Sequence, residues 1–194
     1  MKPLVFTLCL LPLAWLGWAG MNDGLGANPI EFLIRTLGDW ALRMLLVALA
    51  VTPMRQLTGW GWIGRLRRML GLFAFAYALL HVAAWIGVDQ FLDWGTIGRE
   101  IAKRRYILVG MSAFVILIAL ASTSTNGMIR RLGGRRWRLL HKSVYAAGIL
   151  ASLHYLMMVK VDIRPPLGHI VILALLLGWR VIKALPAPTP SGRR

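Results

Sequence analysis

Residues 69–88 read MLGLFAFAYALLHVAAWIGV, twenty positions without a fixed charge and with one imidazole, His81. A helix rising 1.5 Å per residue needs roughly 20 apolar residues to cross a hydrocarbon core of about 30 Å, so this stretch predicts a transmembrane span. Residues 106–122, YILVGMSAFVILIALAS, form a second span of the same quality. Outward from these two, four more apolar stretches lie near 4–20, 38–53, 143–159 and 167–185. The weakest is 38–53, which is short and contains Arg43 four residues after Asp39, the spacing of a helical ion pair near a helix end. The expected fold class is therefore all-α, a polytopic membrane bundle of six transmembrane helices. Residues 1–185 form its single domain, followed by a disordered cytoplasmic tail, 186–194 (PAPTPSGRR).

The first span has a second reading as a cleaved signal peptide, because Lys2 precedes the apolar run and Ala19 and Gly20 follow it. Against that reading, the run carries Pro12, Trp15 and Trp18, shows no clear cleavage site, and its removal would leave an odd number of spans.

Composition agrees with a membrane bundle. Of 194 residues 58% are hydrophobic, and mean hydropathy is +0.64, more apolar than a soluble core of this length needs. The 23 Lys and Arg against 7 Asp and Glu, a formal net charge of +16, would suit a nucleic-acid binder if they covered a folded surface. They cluster between the apolar runs instead, so no nucleic-acid partner is expected. With six spans, one set of loops collects Lys2, the arginines of 54–68, the six basic residues of 123–142 and the basic residues from Arg180 onward, and holds no acid. The other set holds all seven acids, and its net charge is close to zero. Positive residues are retained in the cytoplasm during insertion, which predicts that both termini are cytoplasmic. Several of the nine Trp lie near span ends, as in an interfacial aromatic belt.

The loops leave no room for a soluble catalytic domain, so any chemistry belongs to the bundle. Cys9 is the only cysteine, which excludes an intramolecular disulfide and cysteine-based zinc or iron–sulfur centres. Histidines remain: His81 in the third span, His141 and His154 bounding most of the fifth, and His169 at the start of the sixth, where it is expected to be a solvated helix end. Ionisable residues at membrane depth are costly and point to function. His81 lies 12 residues beyond Met69 and His154 13 beyond His141, so both sit roughly 18–20 Å from the cytoplasmic end of their helices. Two imidazoles at one level on neighbouring helices can be the axial ligands of a haem iron. Ala74, Tyr77 and Ala78 before His81, and Ala147 and Ala151 before His154, are read as leaving space for the macrocycle. A histidine hydrogen-bonded across helices is the alternative. His141 borders the basic stretch RRLGGRRWRLLHK and is a candidate redox residue. Thirteen residues separate it from His154, about 140° around an ideal helix, so the two face one wall only if the helix bends or bulges.

Four stretches carry a family resemblance: GLGANPIEF (24–32), LRRMLGLFAFAYALLH (66–81), STSTNGMIRRLGGRRWRLLHKSVY (122–145) and HYLMMVK (154–160). From about Gly17 to Lys183 the chain resembles the MsrQ (YedZ) family, haem-binding membrane subunits of the MsrPQ methionine sulfoxide reductase system, among the ferric-reductase-like transmembrane domains. The resemblance implies b-type haem on the third and fifth helices. It also implies electron transfer from the cytoplasm or quinone pool to a periplasmic molybdopterin reductase subunit that repairs oxidised proteins, in a bacterial inner membrane. On this reading the chain is an electron-transfer subunit rather than the catalytic one. In the wider family a second third-helix histidine lies about 14 residues before the first, near Arg67 here. One haem is thus expected at His81 and His154, with His141 the candidate ligand of a second. Family members are associated with FMN, but no phosphate-cradling glycine motif supports a site. The donor is read as quinone or a cytoplasmic flavin reductase. Competing functions are a ferric or quinol-linked reductase without a protein acceptor, and a haem-free transporter or structural membrane subunit. Against the last, the spans lack the paired carboxylates that cation carriers use.

Overall fold

The computed structural model describes residues 1–185; the tail for which disorder was expected, 186–194, lies outside the described residues. Nine α-helices run in order: α1 (Lys2–Met21), α2 (Pro29–Thr58), α3 (Arg67–Ala84), α4 (Trp94–Lys103), α5 (Arg105–Ser122), α6 (Asn126–Leu132), α7 (Gly134–His141), α8 (Val144–Met158) and α9 (Arg164–Ala184). A 3-10 helix, Gly61–Leu66, leads into α3, and a π-helical turn, Trp85–Asp89, extends it. Among the described residues there is no strand.

Local chemistry sets the boundaries. Asn28 caps α2 by accepting from the Glu31 amide at 3.3 Å, with Pro29 at the first helical position, where its missing N–H costs nothing. Gly59 ends α2 in the left-handed region at φ 72°, which glycine enters without a Cβ penalty. Asp93 caps α4 by accepting from the amides of Gly95 and Thr96. The expected loop at 123–142 is mostly helical: Thr125 caps α6, and Gly133, at φ 75°, separates it from α7.

Among the described residues four segments are long and apolar enough to cross a membrane: Lys2–Met21, Gly61–Asp89, Arg105–Ser122 and Arg164–Ala184. The other two expected spans differ from them. Helix α2 has 30 residues, but its first half carries Glu31, Arg35, Asp39 and Arg43. Helix α8 has 15 residues, about 22 Å of rise, less than a hydrocarbon core of ~30 Å.

Two helix pairs, α2 with α3 and α5 with α8, make the most extensive contacts in the bundle. They meet where Phe75 of α3 stacks on Phe114 of α5, ring centroids 6.1 Å apart. Helix α9 closes against α2 and α8, burying Leu173 among Leu42, Leu46 and Leu49. Helix α1 leans on α3 through an edge contact of Phe6 with Phe73, and through the buried Tyr77 hydroxyl, which donates to the Cys9 carbonyl at 2.7 Å. Large apolar side chains such as Val115, Val171 and Leu175 face outward, where a membrane protein meets lipid.

Ala74, Tyr77 and Ala147, read from sequence as clearing space for a macrocycle, are at most 1% exposed and pack in the interhelical core. Ala74 and Ala147 let helix axes approach closely, while Tyr77 fills the interface with one of the largest fully buried side chains. Ala78 and Ala151, by contrast, do border a cavity.

Candidate functional site

Between the two helix pairs lies a cavity of about 550 Å³, within the range of cofactor pockets. Its deeper wall is apolar: Ala41, Leu42 and Leu45 of α2, Ala78 of α3, and Ala113, Phe114 and Leu117 of α5. At the helix ends on one side the lining turns polar, with Asn28, Gln90 and Lys160, and with Arg35 and Arg104, each ion-paired to a glutamate one turn earlier, Glu31 and Glu100. Such a gradient suits a flat apolar ligand with anionic groups at one edge.

His81 enters this cavity from α3 and His154 from α8. Their ring centroids are 6.2 Å apart and the rings lie at 77° to each other. Each ring is fixed from behind. The Nδ1–H of His81 donates to the Ile34 carbonyl of α2 at 2.8 Å, and the Nδ1–H of His154 donates to the Tyr106 carbonyl of α5 at 2.7 Å. A carbonyl can only accept, so these bonds put the proton on Nδ1 and leave the Nε2 lone pair of each ring free. Metal-bound histidines characteristically show this pattern, the second nitrogen being anchored to a carbonyl or carboxylate.

The spacing also fits an iron porphyrin. Two imidazole nitrogens each about 2 Å from one metal ion place their ring centroids roughly 6 Å apart. The donor set fits as well, because a pair of neutral imidazoles facing across an apolar-walled cavity suits haem rather than a free ion. Among the described residues no cluster of three or more His, Cys, Asp or Glu could hold a metal ion by itself.

His141 lies elsewhere. Helix α7 ends at His141, a turn follows at Lys142–Ser143, and α8 begins at Val144, so the helix is interrupted just after His141, and the two histidines do not share one wall. The His141 ring stacks on Trp137 with centroids 4.0 Å apart, and its Nε2 is 3.1 Å from the Thr123 hydroxyl at the end of α5. No histidine faces it: His81 and His154 face each other, and His169 is at Tyr155. Arg67, at the position where the wider family has a further histidine, donates to the Thr52 hydroxyl at 2.8 Å.

His169 departs from the solvated helix end expected for it. Its side chain is 13% exposed, its Nδ1 is 2.8 Å from the Pro165 carbonyl and its Nε2 is 3.3 Å from Asp39. The expected Asp39–Arg43 pair is present at 2.5 Å, and Asp39, which borders the cavity, thereby links α2 to α9. Sequence reasoning missed the backbone carbonyls of Ile34 and Tyr106, since a main-chain acceptor leaves no mark on residue identity.

An all-helical bundle with membrane-length apolar helices that aims two imidazoles from separate helix pairs into one cavity defines a class of histidine-bearing membrane domain. Residues 37–152 match the family described as ferric reductase like transmembrane component, and the chain belongs to that family. Within it, the chain is similar to the protein-methionine-sulfoxide reductase heme-binding subunit MsrQ of Rhodospirillum rubrum, at 54% identity over 181 residues covering 93% of this chain and 87% of that protein. MsrQ of Azospira oryzae is 48% identical over 195 residues, 98% of this chain and 84% of its own length. MsrQ of Caulobacter vibrioides is 48% identical over 178 residues, 92% of this chain and 85% of its own. The resemblance drawn from the four motifs is thereby borne out.

Proposed function

We propose that this chain is the haem-binding membrane subunit of a methionine sulfoxide reductase system, and that His81 and His154 are the axial ligands of one b-type haem. The observation that carries the reading is the meeting of their rings at 6.2 Å, each with its Nδ1 proton committed to a carbonyl. The names of relatives about 50% identical over most of the chain support the cofactor. When bound, such a group supplies one-electron oxidation and reduction.

The protein's own part is to hold, tune and insulate. His81 and His154 present both Nε2 lone pairs to one site and would hold the group between them, an arrangement that would favour electron transfer over substrate chemistry. Their Nδ1 hydrogen bonds make the imidazoles more basic and favour the oxidised metal. Leu42, Leu45, Phe114 and Leu117 exclude water from the apolar end, while Arg35, Arg104 and Lys160 offer cations to carboxylates at the polar end.

The topology that accompanies this reading has six crossings, by α1, α2, α3, α5, α8 and α9, with both termini in the cytoplasm of a bacterial inner membrane. The one-sided distribution of Lys and Arg supports it. Electrons would pass from quinol or a cytoplasmic flavin reductase, through the His81–His154 site, to a periplasmic molybdopterin reductase subunit docked near the acid-bearing loops. His141, at the basic end of the bundle, is the candidate protein ligand of any second haem.

The test is haem counted per polypeptide in detergent-purified protein, with the reduced absorption spectrum. His81→Ala and His154→Ala are each expected to abolish the b-type signal while the protein stays folded, and retention of full haem by both would overturn the assignment. Reconstitution in vesicles, with donor on one side and the reductase subunit on the other, tests the direction of transfer.

A further inference from the structure

We infer that Gly38 and Gly110 are positioning residues for the redox site, each keeping open the backbone carbonyl that orients one of the two histidines. The inference rests on the ligand reading above and concerns how that site is held. His81 bonds the carbonyl of Ile34, four residues before Gly38 on α2. His154 bonds the carbonyl of Tyr106, four residues before Gly110 on α5. The same i, i+4 unit therefore appears twice, once in each helix pair.

The physical reason lies in helix geometry. Every Cα–Cβ bond tilts toward the helix N-terminus, so the side chain at i+4 covers the surface over residue i. A carbonyl within a helix already accepts the i+4 amide and reaches a second donor only from the outer side, where that side chain would stand. Glycine leaves the approach clear. A Cβ built on Gly110 would lie 2.7 Å from Nδ1 and 2.9 Å from Cε1 of His154, and one on Gly38 would lie 3.0 Å from both Nδ1 and Cε1 of His81. Separations below 3.0 Å cannot be accommodated without movement. The group met is the imidazole in both cases, and that ring cannot retreat without leaving its carbonyl and carrying its Nε2 away from the cavity.

Neither glycine is needed for a special backbone conformation, since both lie within regular helices. Alanine in their place favours the helix itself, so the structural and the redox consequences of substitution have opposite signs. That opposition makes the role testable apart from packing. Gly71 of α3 and Gly17 of α1, where a Cβ would meet nothing within 4 Å, are the controls.

The experiment compares Gly38→Ala, Gly110→Ala, Gly71→Ala and Gly17→Ala as full-length detergent-purified proteins, by haem content, midpoint potential and gel filtration. Loss of an orienting hydrogen bond typically weakens metal-site affinity by about 10–100-fold. Gly110→Ala is expected to lower haem retention by that order and to raise the potential of the haem that remains, because a less basic imidazole stabilises the oxidised metal less. Gly38→Ala should shift both readouts in the same direction by a smaller amount, and the two controls should match the unsubstituted protein. Wild-type haem content and potential in both Gly38→Ala and Gly110→Ala would overturn the inference, as would aggregation of both while the controls remain monodisperse, which would assign these glycines to packing. His81→Ala and His154→Ala run alongside: if they lose haem while the glycine variants are unaffected, the positioning role alone fails. If they keep it, the ligand reading fails and the inference falls with it.

Discussion

Asp39 of α2 lies 3.3 Å from the Nε2 of His169 on α9 while its other oxygen holds Arg43 at 2.5 Å. One carboxylate thus joins two helices and neutralises a guanidinium that would otherwise stand alone in the first half of a helix proposed to cross the membrane. The Arg43 guanidinium also lies over the Trp40 ring, 4.9 Å from its centroid.

Asp39→Ala should therefore cost more than an average surface substitution. Removing the acceptor of a charged donor costs about 1–3 kcal/mol, and Asp39 is only 20% exposed. The contact with His169 adds to this only when that ring carries both protons, because its Nδ1 proton is already directed to the Pro165 carbonyl. The expected result is a lower thermal midpoint in detergent, followed by tryptophan fluorescence, with haem content per polypeptide unchanged. A midpoint equal to that of the unsubstituted protein would mean that the α2–α9 link contributes nothing.

His141→Ala separates the two histidines of the α7–α8 segment. It removes the contact with the Thr123 hydroxyl and the stack on Trp137, together worth about 1–2 kcal/mol. The spectrum of the haem proposed for His81 and His154 should be unchanged, and any haem above one per polypeptide should disappear. Loss of the main signal in this variant would show that His141, and not the 6.2 Å pair alone, holds the principal group.

Asp93 governs a pH response on the acid-bearing side of the bundle. Hydrogen bonds from the Thr96 hydroxyl and amide, and then from the Gly95 amide, hold its carboxyl below the usual carboxylate range. A depressed carboxyl stabilises the folded state above its ordinary pKa, and that contribution is lost as pH falls through the depressed value. The protection of the Gly95 and Thr96 amides, taken as exchange relative to the intrinsic rate at each pH, is expected to fall on acidification into that range. In Asp93→Ala the protection should be low at all pH values, with the pH step gone.

Much of this molecule is legible without coordinates. The apolar runs at 69–88 and 106–122, the i, i+4 spacing of Asp39 and Arg43, and the depth of His81 and His154 each follow from local properties: helix rise, residue polarity and position along one axis. The roles of Ala74, Ala147 and His169 were not legible. Whether a small residue clears a cavity or lets two helices touch, and whether a histidine at a helix end meets water or a carboxylate, depends on which surface another helix presents.

The sequence by itself determined that this is an apolar helical chain with its positive charge gathered in particular loops and imidazoles set into its hydrophobic runs, because hydrophobicity and charge are written residue by residue. Only the tertiary structure decided that α2 pairs with α3 and α5 with α8, that two of four histidines share a cavity, and that the carbonyls of Ile34 and Tyr106, bared by Gly38 and Gly110, set the direction of those rings. Backbone acceptors are the same at every position in the chain, so which of them orients a side chain is settled by where the helices come to rest.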